Sequence, residues 1–504
     1  MPSTPPAPHS SDVDLSGLEH KRNMGVIRLL LISAFVVILN ETLMGNAIPR
    51  LIDDLGITAS AAQWLTTAFM LTLAVVIPIT GFLMQRFQTR PMFLAAMSLF
   101  TLGTVIAAVS PGFELLLVGR IVQASGTAIM MPLLFTTVFA LVPPAIRGRV
   151  VGNISIVIAV APALGPTVSG AILQIADWRW LFIVMVPFAL VALALGAARI
   201  VNVGVYRPGR LDVLSVVLSA LGFGGFVYGL AQLGEGGESE NGSTIALASL
   251  IGGAVIIGLF VARQIHLQRS DAALLDLRTF ASRQFALSIS IVTIASMALF
   301  GAIILLPLYV QEVLGYDALA AGLAILPGAL LQGILAPFIG RRYDAVGPRG
   351  LVLLGSVLLI VSLGGMAMFA AGTPLWLVTV AHIGVSLGLA LLFTPLLTNG
   401  LSSLRPELNA HGSAIVGTIQ QVAGAAGIAL FITLSAAFAG PAAEEGAAIT
   451  AEGIRAAFLV GTGIALVTLP LVLFVRRVTA PTGGPAVDDG AEAEDEQQSV
   501  PLAH

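Results

Sequence analysis

About fourteen apolar runs, each roughly twenty residues or longer, take up nearly the whole chain. They fall at 24–48, 61–84, 91–110, 114–141, 150–173, 180–200, 213–233, 243–263, 284–310, 318–339, 350–371, 374–398, 411–438 and 454–475. The hydrocarbon core of a bilayer is about 30 Å thick and takes about 20 apolar residues of helix. Backbone groups find no water there, so each run must be a helix or a strand of a closed barrel. Barrel strands are shorter and alternate in polarity, and these runs do neither. The expected class is an all-α polytopic membrane protein. Only 10% of the residues are charged, against about 25% in soluble proteins.

Composition excludes several functions. The chain has no cysteine, hence no disulfide, thiolate metal site or cysteine nucleophile. Its six histidines are scattered without metal-ligand spacing, so no metal and no cofactor is expected. The net charge of -3 gives no reason to expect nucleic acid. A phosphate-binding loop of the Gly-x-x-x-x-Gly-Lys-Ser/Thr type is missing, which argues against ATP-driven pumping. Asp53 and Asp54 are adjacent, but no second acidic cluster joins them, which argues against a metal-dependent membrane transferase. No enzyme is expected.

Orientation follows from the basic residues, which collect on the cytoplasmic side of membrane proteins. With the N-terminus inside, twenty Lys and Arg fall inside and only Arg50, Arg179 and Arg455 outside, while Arg120 lies within a run. Both termini are therefore expected in the cytoplasm of a multi-pass cell-membrane protein. The Pro/Ser-rich segment 1–23 and the acidic segment 479–504 are expected to be disordered.

Within the first run, Glu41 is the one formally charged side chain after Leu29. A charge near a membrane midplane costs about 2.5–3.5 kcal/mol. Such a residue faces a cavity, holds a proton or meets a cation; otherwise it snorkels toward the headgroups. Asn40 and Asn46 flank it. Met44, Phe69, Met130, Met131, Phe135 and Phe139 are candidates for an adaptable apolar pocket.

The chain also repeats. Pro49-Arg-Leu-Ile-Asp-Asp-Leu-Gly56 is echoed by Pro307-Leu-Tyr-Val-Gln-Glu-Val-Leu-Gly315. The loop Gly81-Phe-Leu-Met-Gln-Arg-Phe-Gln-Thr-Arg90 is echoed by Gly340-Arg-Arg-Tyr-Asp-Ala-Val-Gly-Pro-Arg349. The offset from Gly81 to Gly340 is 259 residues, about eight runs. An even number makes the halves parallel, a known transporter plan with the site between them. Two six-helix bundles, 24–203 and 271–478, with two inserted helices in 204–270, account for it.

Further motifs lie in the fourth to sixth runs: Gly119-Arg120-Ile-Val-Gln123-Ala-Ser-Gly126, Ala161-Pro162-Ala-Leu-Gly165-Pro166-Thr-Val-Ser169-Gly170, and Trp178-Arg-Trp-Leu-Phe-Ile-Val-Met-Val-Pro187. Arg120 cannot shed its proton, so it needs hydrogen-bond partners or water. Pro162 and Pro166 share a helix face, and each removes a backbone bond. Gly165, Ser169 and Gly170 let another helix come close. Trp178 and Trp180 suit a membrane interface.

Together with Leu39-Asn40-Glu41-Thr42 and Ala47-Ile48-Pro49, these motifs resemble the major facilitator superfamily. The chain looks most like its fourteen-span drug:proton antiporters, the EmrB/QacA-like subfamily. Ala62-Gln-Trp-Leu-Thr-Thr-Ala-Phe-Met-Leu71 and Ile77-Pro-Ile-Thr80 resemble a lincomycin-exporter branch. The likeness implies the major facilitator fold and proton-coupled export of amphipathic, cationic or weakly basic small molecules. Export of one endogenous metabolite, lipid precursor or antibiotic is the alternative. It assigns proton coupling or substrate contact to Glu41, Asn40, Arg120, Gln123 and Asn46. The antiporter motif is Pro162, Gly165, Pro166, Ser169 and Gly170, and the gating loops carry Gly81, Arg86, Arg90, Gly340, Asp344 and Arg349. Two departures stand out. The membrane acid comes one position later than in the family, about 100° round the helix, and Gln85 replaces the first loop's acid. Partners are protons, lipid and substrate. Oligomeric state stays open, with a monomer expected.

Overall fold

The computed structural model describes residues 10–202, 211–234, 242–439 and 450–478, with backbone alone at 10–20, 46, 59, 60, 166 and 318. Fourteen helical spans are long and apolar enough to cross a membrane, the sixth and fourteenth (Trp180–Arg199 and Ala451–Val472) each made of a main helix and a short one, and no strand occurs among the described residues. The main helices are α1 (Ser10–Leu43), α2 (Ala59–Arg86), α3 (Thr89–Ala108), α4 (Phe113–Leu141), α5 (Arg147–Ile175), α6 (Met185–Arg199), α7 (Val213–Gly234), α8 (Gly242–Leu267), α9 (Arg283–Leu308), α10 (Ala318–Val346), α11 (Arg349–Met366), α12 (Leu375–Ser402), α13 (Asn409–Ala437) and α14 (Ala451–Leu466). Residues 1–9 and the acidic segment 479–504 lie outside the described part.

Two boundaries differ from the sequence reading. Helical backbone begins at Ser10, inside the segment 1–23 for which disorder is expected. A span that is already helical supplies the nucleus, and adding turns to it costs little. At its other end α1 stops at Leu43, not Ile48. Gly45–Ala47 tightens into a 3₁₀ turn, and Ile48–Leu55 continues as a short helix with Pro49 in its first turn. Glu41 therefore sits in the last turn of α1. It still lies about 13 Å of helical rise below Arg50, the first exposed basic residue beyond it.

The repeat is visible in the backbone. Gly56 and Gly315 both adopt positive φ, +59° and +72°, a conformation that favours glycine. Two residues on, Thr58 and Asp317 cap the next helix through Ala61 N–H at 3.1 Å and Ala320 N–H at 2.8 Å. The same offset relates α2 to α10 and Gln85 to Asp344.

The halves meet along two seams, α5 against α10 and α2 against α13. On the first, Gly148 abuts Gly340, Gly152 abuts Ala336, and Gly333 abuts Val160. On the second, Gly81 abuts His411 and Ala414, and Gly417 abuts Ile77. Ser155 and Thr394 share a hydrogen bond of 2.8 Å between halves. All these contacts lie toward the arginine-rich end. Nearer the opposite end the same helices pack within their own half: Gly165 on Thr42, Gly328 on His382 and Ser386, Gly427 on Met297. The inter-half contacts made at these glycines, and the Ser155–Thr394 bond, therefore gather toward the basic end.

Candidate functional site

Asn40 is 2% exposed, and its Oδ1 has no partner among the described residues. Glu41 is partly exposed, and no described residue forms a hydrogen bond or ion pair with it. Of the charged groups, Arg120 is the one whose field reaches it. The one-residue shift of the acid thus separates the two roles: Asn40 faces the packed side of α1, and the carboxylate faces the accessible side. Asn46 falls outside the described side chains.

Arg120 does not snorkel. It is 1% exposed and lies two turns into α4. Its guanidinium stacks 4.1 Å from the centre of the Phe69 ring. Nη1 donates to Gln123 Oε1 at 2.7 Å, and Nε donates to Leu65 O at 3.5 Å. Gln123 Nε2 passes the chain on to Thr104 Oγ1 at 2.8 Å, and Thr104 donates to Phe100 O at 2.7 Å. A cation held this way by α2, α3 and α4 is a fixed charge, oriented rather than mobile. Sequence reading missed Thr104 and Leu65. A threonine and a backbone carbonyl on other helices carry no signal in a motif.

Gly165 brings α5 onto α1 at Thr42, next to Glu41. α5 runs helical through Pro162 and Pro166 to Ile175; Pro162 and Gly170 are partly buried, Ser169 is 0% exposed, and the Pro166 ring is outside the description. Of the apolar pocket candidates, Phe69 lies at the site under Arg120. Met130, Phe135 and Phe139 pack instead into the bundle core, Met131 packs against that core, and Met44 joins the cluster around Trp178. Trp178 itself is 0% exposed, with Arg179 over its ring at 4.2 Å, so it is no interfacial anchor; Trp180 is exposed.

At the basic end the repeated loops differ. Asp344 accepts from the N–H groups of Gly148 (2.8 Å) and Arg149 (2.9 Å), capping α5 from the other half. A carboxylate suits a helix N-terminus, where N–H groups lack partners. Gln85, the repeat partner of Asp344, instead donates to Glu407 O at 2.9 Å, just ahead of α13. Arg90 donates to Ala197 O at 2.6 Å, within its own half, and Arg86 ends α2. Arg349 is the first residue of α11. Arg477, seen in the sequence only as one more basic residue, donates to Asp344 O at 2.7 Å and packs on Gly347.

The profile of the Major Facilitator Superfamily matches residues 30–428. The lincomycin resistance protein LmrB of Listeria monocytogenes is 39% identical over 472 residues, 92% of this chain and 99% of that protein. The multidrug resistance protein B homolog of Mycobacterium tuberculosis is 31% identical over 82% of this chain and 76% of its own length. Two solved structures share the fold at 14% identity. The human organic anion transporter MFSD10 superposes with a TM-score of 0.63, covering 90% of this chain and 99% of that one. The proton:xylose symporter XylE superposes at 0.60, covering 91% and 97%. Both are named as transporters, and both share the fold of this chain. A profile match across most of the spans, together with relatives aligned over nearly the full length, means that the chain belongs to the major facilitator superfamily of membrane transporters.

Proposed function

We propose that the chain is a proton-coupled antiporter that exports amphipathic, cationic or weakly basic compounds by alternating access. One observation carries this reading. The Glu41 carboxylate is partly accessible, has no hydrogen-bond or ion-pair partner among the described residues, and sits in the field of the fixed Arg120 cation. Such a group gains or loses a proton without first breaking an ion pair. The positive-inside rule puts the arginine-rich end, and both termini, in the cytoplasm. The inter-half contacts gathered there then close the inward side, and Glu41 takes its proton from outside while substrate leaves.

As bundles 24–203 and 271–478 tip, with 204–270 inserted between them, Asp344 releases the α5 N-terminus and Gln85 releases Glu407. Glu41 then faces the cytoplasm, gives up its proton and attracts a cation. One charge crossing the membrane yields about 2.3 kcal/mol per 100 mV, or roughly a fiftyfold gradient. A monomer suffices, since both halves lie in one chain. The names of the lincomycin and multidrug resistance relatives support drug export.

The test is dye efflux in inverted membrane vesicles energised by a proton gradient. Glu41→Gln is expected to abolish proton-coupled efflux, and undiminished efflux would remove Glu41 from the mechanism. Indifference of wild-type efflux to a protonophore would point to another energy source. The 39% identity to a lincomycin resistance protein favours a second reading, export of one antibiotic. A resistance profile of overproducing cells separates narrow from broad export.

A further inference from the structure

The inserted pair α7–α8 is absent from the two-by-six plan, and neither helix carries a proposed proton or gate residue. Its placement is uneven. α7 packs against α2 of the first half and also against α13 of the second. Trp64 of α2 stacks on Tyr228 of α7, with centroids 5.9 Å apart and planes at 27°. One helical turn further, Thr433 of α13 donates to Leu233 O of α7 at 3.5 Å. Both contacts lie farther from the basic end than the Ile77–Gly417 contact between α2 and α13. α7 thus touches both halves on the outer part of that seam.

Neither inserted helix reaches the other seam among the described residues; α12 touches both of its helices, and its hydrogen bond there, between Thr394 and Ser155, lies toward the basic end. The face of α5 that packs on α10 at Gly148, Gly152 and Val160 continues to Thr167 and Ala171, and both are exposed. The matching face of α10 continues from Gly333 to Gly322, which is exposed with nothing within 4 Å of a Cβ.

We propose that α7 is a lateral wall that shuts the outer half of the α2/α13 seam against lipid, so that an amphipathic molecule dissolved in the outer leaflet exchanges with the cleft through the α5/α10 seam alone. The identity of the molecule rests on the transport reading above; the wall itself does not. α7 packs on α2 and α13 to a similar extent, but its two named contacts differ in kind. The stacked pair holds through ring contact although Trp64 is 39% exposed, whereas a bond of 3.5 Å to an exposed threonine is weak. On that difference α7 is assigned to the first half, with α13 sliding past it when the halves tip.

The chain has no cysteine, so introduced pairs report cleanly. In Trp64→Cys/Tyr228→Cys, joining the two thiols with a short bis-maleimide is expected to leave efflux within twofold of the unlinked variant. In Leu233→Cys/Thr433→Cys, a disulfide is expected to cut efflux at least tenfold, with recovery on reduction. Loss in the first variant together with retention in the second would overturn the assignment of α7 to the first half. Equal retention in both would overturn the bridge.

The seam itself is read without transport, in lipid vesicles. Met70 lies two turns from Ile77 on the same face of α2, toward the outer end of the α2/α13 seam. A maleimide carried on a lipid tail is expected to label Ala171→Cys at least fivefold faster than Met70→Cys. Equal rates, or faster labelling of Met70→Cys, would overturn the wall. Because labelling needs no proton gradient and no substrate, it stands or falls apart from the antiport reading.

Discussion

Gly165 on α5 lies so close to Thr42 on α1 that a methyl group on the glycine would overlap the threonine hydroxyl. That hydroxyl is already turned back onto its own helix, donating to Leu39 O at 2.9 Å. The contact ties the proline-containing helix to the turn that carries Glu41. Any side chain at position 165 must push that turn aside. Overpacking of this kind costs about 1–3 kcal/mol. Gly165→Ala is expected to lower the melting temperature of the purified protein and to reduce efflux at least tenfold at equal membrane abundance. Pairing it with Thr42→Gly should recover part of both. If Gly165→Ala alone behaves as wild type in both assays, the contact does not position Glu41.

The sequence made the helices, the repeat and the paired loops at the basic end legible because each has a local signature. Apolar length marks a span, Gly56 and Gly315 mark two equivalent turns, and the loop pattern marks Asp344. The environment of Glu41 was not legible. Its neighbour Arg120 is 79 positions away in sequence, and the orientation of that guanidinium depends on Phe69, Leu65 and the Gln123–Thr104 pair. Those contacts arise only when α2, α3 and α4 pack. The end of α1 was misjudged for a related reason: Met44–Pro49 is apolar enough to extend a span, and apolarity does not distinguish an α-helical turn from a 3₁₀ one.

The latch at the basic end is expected to be lopsided. Asp344 caps α5 with two charge-assisted bonds, whereas its repeat partner Gln85 makes one neutral bond. Losing a helix N-cap costs about 0.5–2 kcal/mol. Asp344→Ala should therefore shift the balance toward an open basic end by roughly two- to thirtyfold, and Gln85→Ala should shift it less. Spin labels at the exposed positions Arg149 and Arg341 would measure the opening. Equal shifts in the two variants would show that charge does not hold the latch.

Arg120 is expected to tolerate no lysine. A lysine keeps the charge but cannot stack flat on Phe69 while bonding both Gln123 and Leu65 O. Arg120→Lys should reduce efflux at least tenfold with little loss of folded protein. Gln123→Leu leaves the buried Arg120 Nη1 and Thr104 hydroxyl short of partners. An unsatisfied buried polar group costs about 1–3 kcal/mol, so this variant should lose thermal stability as well. The contrast between the two variants, measured by efflux and by melting temperature, separates orientation of the charge from support of the bundle.

The inserted pair should carry its own acid sensitivity. Asp212, at the start of α7, accepts from Arg263 of α8 through Nε at 2.6 Å and Nη2 at 2.7 Å, and also from Ser215. The Arg263 bond, with Ser215 helping, holds the Asp212 carboxyl well below the usual carboxylate range. A group depressed in the folded state binds its proton more readily when unfolded. Its contribution to stability is full above the unfolded value, about 3.9, and is lost as pH falls through the lower folded value. Asp212→Asn should therefore lower the melting temperature at pH 7. The gap from wild type should hold from pH 5 to about 4 and begin to narrow as the pH is brought on to 3. A gap that stays constant over that range would mean that the pair is held by packing alone, and that the Arg263 bond adds nothing to the anchoring of α7 on α8.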